Sequence, residues 1–360
     1  MSRAAPTSVD GYRLGRRPAL DGLRGIAVAL VLWNHTALPY SGTSGTVGVT
    51  VFFVLSGFLI TRLLLEEWDA RNHISLGRFY VRRALRLMPA MLAYVLVTAL
   101  VALRYDEPLD QVVWAGLYVT NIARSLGEFV TLTPHTWSLA MEEQFYLVWP
   151  ALLVALLGLV RISRRGLVLV LVGLIGLSLL YRYWLVAGDA DLQRLHNDPF
   201  AVAVSLLVGC LLAVVIGALR WRLLGGTVFV VAIGLLVGLG VDEKSMATYA
   251  VMVPVATLAS AAAVAVVVRD GRGPAWVHRV LTWAPLRGLG RISYGLYLWH
   301  YTVYYVVKHE ITGSDTTQVV TRVVLEVVLS IVVAVISYHL LESKFLKLKD
   351  SERWSTRVLN

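Results

Sequence analysis

Arg24 and His35 both interrupt the apolar stretch LDGLRGIAVALVLWNHTALP, and they stand 11 residues apart. At ~100° per residue that spacing is just over three helical turns, so both project from nearly one face, ~16 Å apart along the axis. A charged side chain at the centre of a bilayer costs about 2.5–3.5 kcal/mol. An Arg and a His aligned inside such a run therefore point to chemistry, and neutral imidazole is the form a general base needs. Asn34 lies beside His35, and Asp21 precedes Arg24 by three residues on a neighbouring part of the face.

Three further stretches carry polar groups into apolar surroundings. In GRFYVRRALRLMPA, Arg78, Arg82, Arg83 and Arg86 cluster before an apolar run, with Arg83 and Arg86 on one helix face. Forked guanidiniums of this kind suit the phosphates of a nucleotide. In HTWSLAMEEQFYLVWP, Ser138 is expected to cap a helix, with Glu142 and Glu143 in its first turns, where the dipole favours anions. Gln144 and Tyr146 follow, and the two carboxylates are expected at the non-cytoplasmic end of a polar site. In GRISYGLYLWHYTVYY, His300 falls near mid-membrane beside Trp299 and Tyr297, an aromatic density suited to lining a pocket for a bulky acceptor. The small residues Gly45, Gly48, Ser56 and Gly57 are expected to let helices approach closely. No His-Glu-x-x-His, P-loop or dinucleotide fingerprint occurs, and Cys210 is the only cysteine, so no metal is expected.

The elements that position these residues are transmembrane helices. The 360 residues are 57% hydrophobic and 16% charged, against about 25% charged in an ordinary soluble domain. Apolar runs near 23–39, 46–65, 87–104, 138–158, 167–187, 199–219, 224–240, 246–268, 290–309 and 318–341 approach the ~20 residues a spanning helix needs. The segment 111–122 is too short to cross and is expected to lie at the interface or dip in. Pro89, Pro150 and Pro199 fall near the ends of these runs. The fold class is thus all-α integral membrane, a bundle of about ten transmembrane helices.

The net charge of +10 does not indicate a nucleic-acid partner, because the basic residues sit at the ends of apolar runs. Alternate loops hold most of them, including Arg62, Arg71, Arg78, Arg82, Arg161, Arg164, Arg165, Arg269, Arg272 and Arg279. The opposite side keeps Arg104, Arg124, Arg182, Arg194, Lys244, Lys308 and Arg322. By the positive-inside rule both termini are cytoplasmic, in a multi-pass protein of the cell (inner) membrane. Residues 1–19 read as a cytoplasmic tail without a cleavable signal peptide, 20–345 as one membrane domain, and 346–360 as a second tail.

The pieces LDGLRGIAVALVLWNH, GVTVFFVLSGFLIT, FYVRRALRLMPA, HTWSLAMEEQFYLVWP, GRISYGLYLWHY and SYHLLESKF occur in this order over about Leu20 to Phe345. In this the chain resembles the type-three membrane acyltransferases. The resemblance implies transfer of an acyl group, usually acetyl, from cytosolic acyl-CoA to a hydroxyl, often on a sugar. It places an Arg-x10-His motif on Arg24 and His35 and an Arg-x-x-Arg motif on Arg83 and Arg86. It also favours Glu142 over Glu143. In the last piece Ser343 stands where members often have a basic residue after the Glu, so Glu342 is assigned no role. A hydrolase-like domain that many relatives carry after the membrane part is not expected in this chain.

The mechanism expected from both lines has acyl-CoA (acetyl-CoA) docked at Arg83 and Arg86, helped by Arg78 or Arg82. His35 then deprotonates the acceptor hydroxyl as it attacks the thioester, or carries the acyl group covalently. Glu142 orients His35 or holds the acceptor, and Arg24 or Asn34 stabilises the oxyanion or fixes the imidazole, with Asp21 nearby. Tyr146, Tyr297, Trp299 and His300 are the expected acceptor contacts. The acceptor is expected to be a carbohydrate, a glycolipid or a compact macrolide-like polyketide. The competing reading, a ten-span transporter of a small polar compound, lacks an internal repeat.

Overall fold

The computed structural model describes residues 14–15, 17–36, 42–218, 228, 231–234, 246–268 and 275–345. Among them no β-strand occurs. The helices are α1 (Pro18–His35), α2 (Ser44–Arg71), α3 (Leu76–Arg104), α4 (Asp110–Gly116), α5 (Thr120–Ser125), α6 (Thr136–Val154) and α7 (Arg164–Ala187). They continue with α8 (Leu192–Asn197), α9 (Pro199–Val215), α10 (Met246–Val268), α11 (Ala275–Leu281), α12 (Ala284–Arg291), α13 (Ser293–Glu310) and α14 (Thr316–Ser337). π-Helical turns extend α6 over Ala155–Leu159 and α14 over Tyr338–Glu342.

Among the described residues, 7 helices are long and apolar enough to cross a bilayer: α2, α3, α6, α7, α8 running into α9, α10 and α14. α1 and α13 have 18 residues each, and they hold the polar groups of the site. The expected span at 224–240 falls largely outside the described residues. The segment 111–122 forms the short helices α4 and α5, with Gln111, Thr120 and Asn121 buried, and does not cross.

Burial separates the centre of the bundle from its lipid face. In the most apolar window of α2, 72% of the residues are buried, against 17% in α14. α14 turns Val320, Val324, Val328, Val332, Ile336 and Leu340 outward, a four-residue repeat that makes one apolar stripe. α2 packs chiefly on α9, and α1 lies against α2, α12 and α13. The α2–α9 contact depends on two glycines: a Cβ on Gly57 would stand 2.0 Å from the Leu206 carbonyl oxygen, and one on Gly209 2.2 Å from that of Val54. Only a hydrogen fits at either place.

Several sequence expectations change here. α3 starts at Leu76, so its arginine-bearing turns belong to the helix and Pro89 lies inside it. Pro150 likewise lies inside α6. Hydropathy registers only the apolar part of a helix that continues past the membrane. Arg62 and Arg182 are not loop cations: both are buried in their helices. Arg62 pairs with Glu66 at 3.0 Å, and Arg182 donates to the Tyr249 carbonyl at 2.8 Å.

Candidate active site

His35 is the last residue of α1, where the chain turns extended at Thr36. Its Nδ1 lies 2.9 Å from the Val31 carbonyl oxygen. A carbonyl only accepts, so Nδ1 carries the proton of the neutral ring and Nε2 keeps the lone pair. Beside it, Asn34 Oδ1 accepts the Gly45 N–H at 2.9 Å, which turns its Nδ2 into the donor available to a ligand. Gly45 has to be glycine, since a Cβ there would stand 2.7 Å from Asn34 Cγ.

Two more imidazoles complete the group. The His300 ring centroid lies 5.0 Å from that of His35 and 5.0 Å from that of His135. His300 Nδ1 donates to the Tyr297 carbonyl at 2.6 Å, and His135 Nε2 to that of Leu298 at 3.1 Å. Each ring is thus fixed by one backbone bond and keeps one lone-pair nitrogen. Tyr301 stacks on His135 with centroids 5.2 Å apart and touches His35 edge-on. Among the described residues no group of three or more His, Cys, Asp or Glu is disposed to hold a metal ion.

A cavity of ≈ 420 Å³ has a lining that includes Asn34, His35, Arg124, His135, Trp137, His196, Tyr249, Tyr297 and Tyr301. His300, expected as an acceptor contact, is fully buried and lines neither this cavity nor the smaller pocket at Arg24. A second, smaller pocket of ≈ 50 Å³ is lined by Arg24, Phe52, Phe53, Ser138, Glu142, Ser293 and Tyr294. Val49 and Tyr297 line both. The Tyr297 hydroxyl forms the partition: it donates to the His135 carbonyl at 3.0 Å and lies 2.5 Å from Ser138 Oγ. Arg24 and His35 therefore open into consecutive compartments along one face of α1.

Beyond Arg24 lies the charged end of the site. Arg83 forks onto Glu143, with Nε to Oε2 at 3.1 Å and Nη2 to Oε1 at 2.6 Å. Its guanidinium carbon sits 3.1 Å from the Tyr146 ring centroid. Arg86 and Arg24 are within electrostatic reach of one another and of Glu342, which the π-turn after α14 brings inward and which is buried. Glu342, assigned no role from sequence, thus belongs to this cluster. Arg82 is exposed one turn outward on α3, with Arg78 near it.

Other expectations are corrected by what packs against each residue. Ser138 does not cap α6: the helix begins earlier, at Thr136, and Ser138 faces Tyr297 instead. Glu142 and Glu143 are not at the far end of the site but level with Arg24 and Arg83. Glu142 accepts from Ser56 Oγ at 2.7 Å, and the His35 ring is fixed instead by donating to the Val31 carbonyl. Ser56, expected only as a packing residue, is the partner of Glu142. Asp21 lines neither pocket; its backbone packs on Gly290, where a Cβ would stand 1.7 Å from the Asp21 carbonyl oxygen. Trp299 turns away from both pockets onto Tyr94, at 5.5 Å between centroids, and Tyr146 lies under Arg83. His135, His196 and Arg124 were not singled out from sequence. Their one sequence signal is position in the segments joining the spans.

Outside the spans, two charged groups shape the far end. Burial raises the Glu107 pKa, but hydrogen bonds from Thr131, Tyr305 and Gln111 outweigh it and hold the carboxyl below its usual range. Burial lowers the Arg124 pKa from its ordinary value, and a guanidinium so placed remains a cation at neutral pH.

A sequence profile for the family described as an acyltransferase domain, acyltransferase-3, matches residues 17–339. A peptidoglycan O-acetyltransferase of Listeria monocytogenes is 30% identical over 313 residues, 79% of this chain and 49% of the relative. A protein of Staphylococcus aureus provisionally named an O-acetyltransferase is 31% identical, over 79% of this chain and 50% of its own. One of Bacillus subtilis, provisionally named a peptidoglycan O-acetyltransferase, is 32% identical over 310 residues, 79% of this chain and 48% of its own. The chain thus spans about half the length of the curated relatives it matches. No solved structure matches it.

Proposed function

The chain belongs to the acyltransferase-3 family, and from that premise we propose that it is a membrane O-acetyltransferase that moves acetyl from acetyl-CoA to a glycan hydroxyl, with His35 as the base. The observation that carries the reading is the pair of consecutive pockets on α1, one ending at Arg24 and the other at His35, with Tyr297 between them. CoA phosphates bind from the cytosol at Arg86, Arg82 and Arg78, with Arg83 preset by Glu143. The pantetheine arm runs past Arg24 and Tyr297 and delivers the thioester to the ≈ 420 Å³ cavity.

There the acceptor oxygen attacks the thioester carbonyl while its proton passes to His35 Nε2. The tetrahedral oxyanion accepts from Asn34 Nδ2. Collapse expels the CoA sulfur, which takes the proton back from His35, and an ester and free CoA result. Trp137, Tyr249 and Tyr301 supply aromatic faces of the kind on which sugar rings stack. With relatives named for peptidoglycan, a cell-wall glycan is favoured over a macrolide-like acceptor.

The test is CoA release by the purified full chain with acetyl-CoA and a muramyl disaccharide. His35→Ala is expected to lower kcat about 10²–10⁴-fold, the range a general base supplies, with the protein still folded. Near wild-type turnover in that variant overturns the assignment of His35.

A further inference from the structure

Among the described residues, Arg124 is the one that lines the ≈ 420 Å³ cavity with a permanent charge, and none of the described lining residues is Asp or Glu. It comes from α5, a short helix outside the spans, and the scaffold holds it in place. Its Nη1 donates to the Pro134 carbonyl at 2.8 Å. Gln193 Nε2 clamps the Arg124 and Glu128 carbonyls, at 3.2 and 3.1 Å. Among the described residues no carboxylate lies within ion-pairing distance of the Arg124 guanidinium. The titratable groups within electrostatic reach of it are Tyr249, Tyr297, Tyr301, His135 and His196, none of them a carboxylate.

A cation left without a counter-charge in the wall of a cavity built from rings and neutral imidazoles lacks its ionic partner until a ligand supplies one. The guanidinium at the other end of the site, Arg83, has such a partner in Glu143. The cation also lies on the acceptor's side of Tyr297, since Arg124 lines the large pocket and not the one at Arg24.

We propose that Arg124 is an anion subsite of the acceptor pocket, and that the acceptor carries a carboxylate or phosphate near the hydroxyl that is acetylated. The inference rests on the acyl-transfer reading above and adds the substrate class. The anion binds the guanidinium through its free N–H groups while the sugar ring lies along Trp137, Tyr249 or Tyr301, which brings one hydroxyl to His35.

The test measures kcat/KM of the full chain in detergent with four probes in two pairs. One pair is a muramyl disaccharide with a free lactyl carboxylate and its lactyl methylamide. The other is N-acetylglucosamine 1-phosphate and the neutral methyl glycoside. Wild type is expected to favour the charged member by about tenfold, the worth of one charge-assisted hydrogen bond, with KM carrying the difference. Arg124→Gln is expected to bring the charged-to-neutral ratio near one, and Arg124→Lys to keep part of it. The ratio is taken within one variant, so partial misfolding cancels. The pair with the larger preference tells carboxylate from phosphate. A wild-type protein that acetylates charged and neutral probes alike overturns the Arg124 assignment alone, as does an unchanged ratio in Arg124→Gln. A protein that acetylates none of the four overturns the acceptor reading, and this inference with it.

Discussion

Arg83 is gripped from two sides, by the Glu143 carboxylate at 2.6 Å and by the Tyr146 ring beneath it. Among the described residues Arg86 has no ion pair of that kind, and it lies instead within electrostatic reach of Arg24, Arg83 and Glu342. Under the donor reading, Arg86→Ala and Glu143→Gln each raise KM for acetyl-CoA, by about 10- to 100-fold where a charge-assisted bond is lost, and move acceptor KM little. Initial rates with both substrates varied check this, and a rise confined to acceptor KM reverses the assignment. The membrane makes such residues legible: Arg24, His35, Asn34, Tyr297 and His300 stand out in sequence because polar groups in apolar runs are costly. His135, His196 and Arg124 lie in or beside connecting segments, where their residue types are ordinary. Asp21 and Trp299 were misplaced for another reason. Helical periodicity gives the face of a helix but not its neighbour, and the neighbours are Gly290 and Tyr94.

At the scale of elements, α1 carries Arg24 and His35, and α2, α12 and α13 pack on it and hold it in register. Arg24 and His35 keep their relation because an unbroken helix joins them. Asn34 is tied to Gly45 at the start of α2, and Ser56 of α2 meets Glu142 of α6. The backbone contact at Gly57 and Gly209 fixes how deep α2 sits. Gly57→Leu is therefore expected to lower the melting temperature in detergent, as overpacking costs about 1–3 kcal/mol. Gly173→Ala, where a Cβ meets nothing within 4 Å, is expected to leave it unchanged or slightly raised. Equal losses at both sites contradict the close packing of α2 on α9. The helices themselves were legible as apolar runs, and the small residues at 45, 48 and 57 as close-approach sites. Helix ends were not, because the amphipathic turns of α3 below Pro89 and the π-turn carrying Glu342 have no hydropathy signal.

For the molecule as a whole, the proposed reaction has donor and acceptor approach the two compartments from opposite ends of the bundle. The arginine cluster belongs to the end with the α2–α3 turn. The cavity with Arg124 belongs to the end covered by α4, α5 and the loop held by Glu107 and Gln111, whose side chain binds the Thr131 and Leu132 amides at 2.7 and 2.9 Å. In the proposed reaction acetyl then passes from one side of the membrane to a hydroxyl on the other without the acceptor crossing. This holds only if the α2–α3 turn is cytosolic, as the distribution of Arg predicts. Cys210 is buried, and Cys210→Ser gives a background without thiols. In it, His73→Cys, in the α2–α3 turn, is expected to react with an impermeant maleimide only after the inner face is opened. Phe129→Cys, at a position 81% exposed on the α5–α6 loop, is expected to react in intact cells. The reverse pattern would put the arginine cluster outside, away from CoA, and would remove the cytosolic donor from the mechanism even if the His35 variant were inactive.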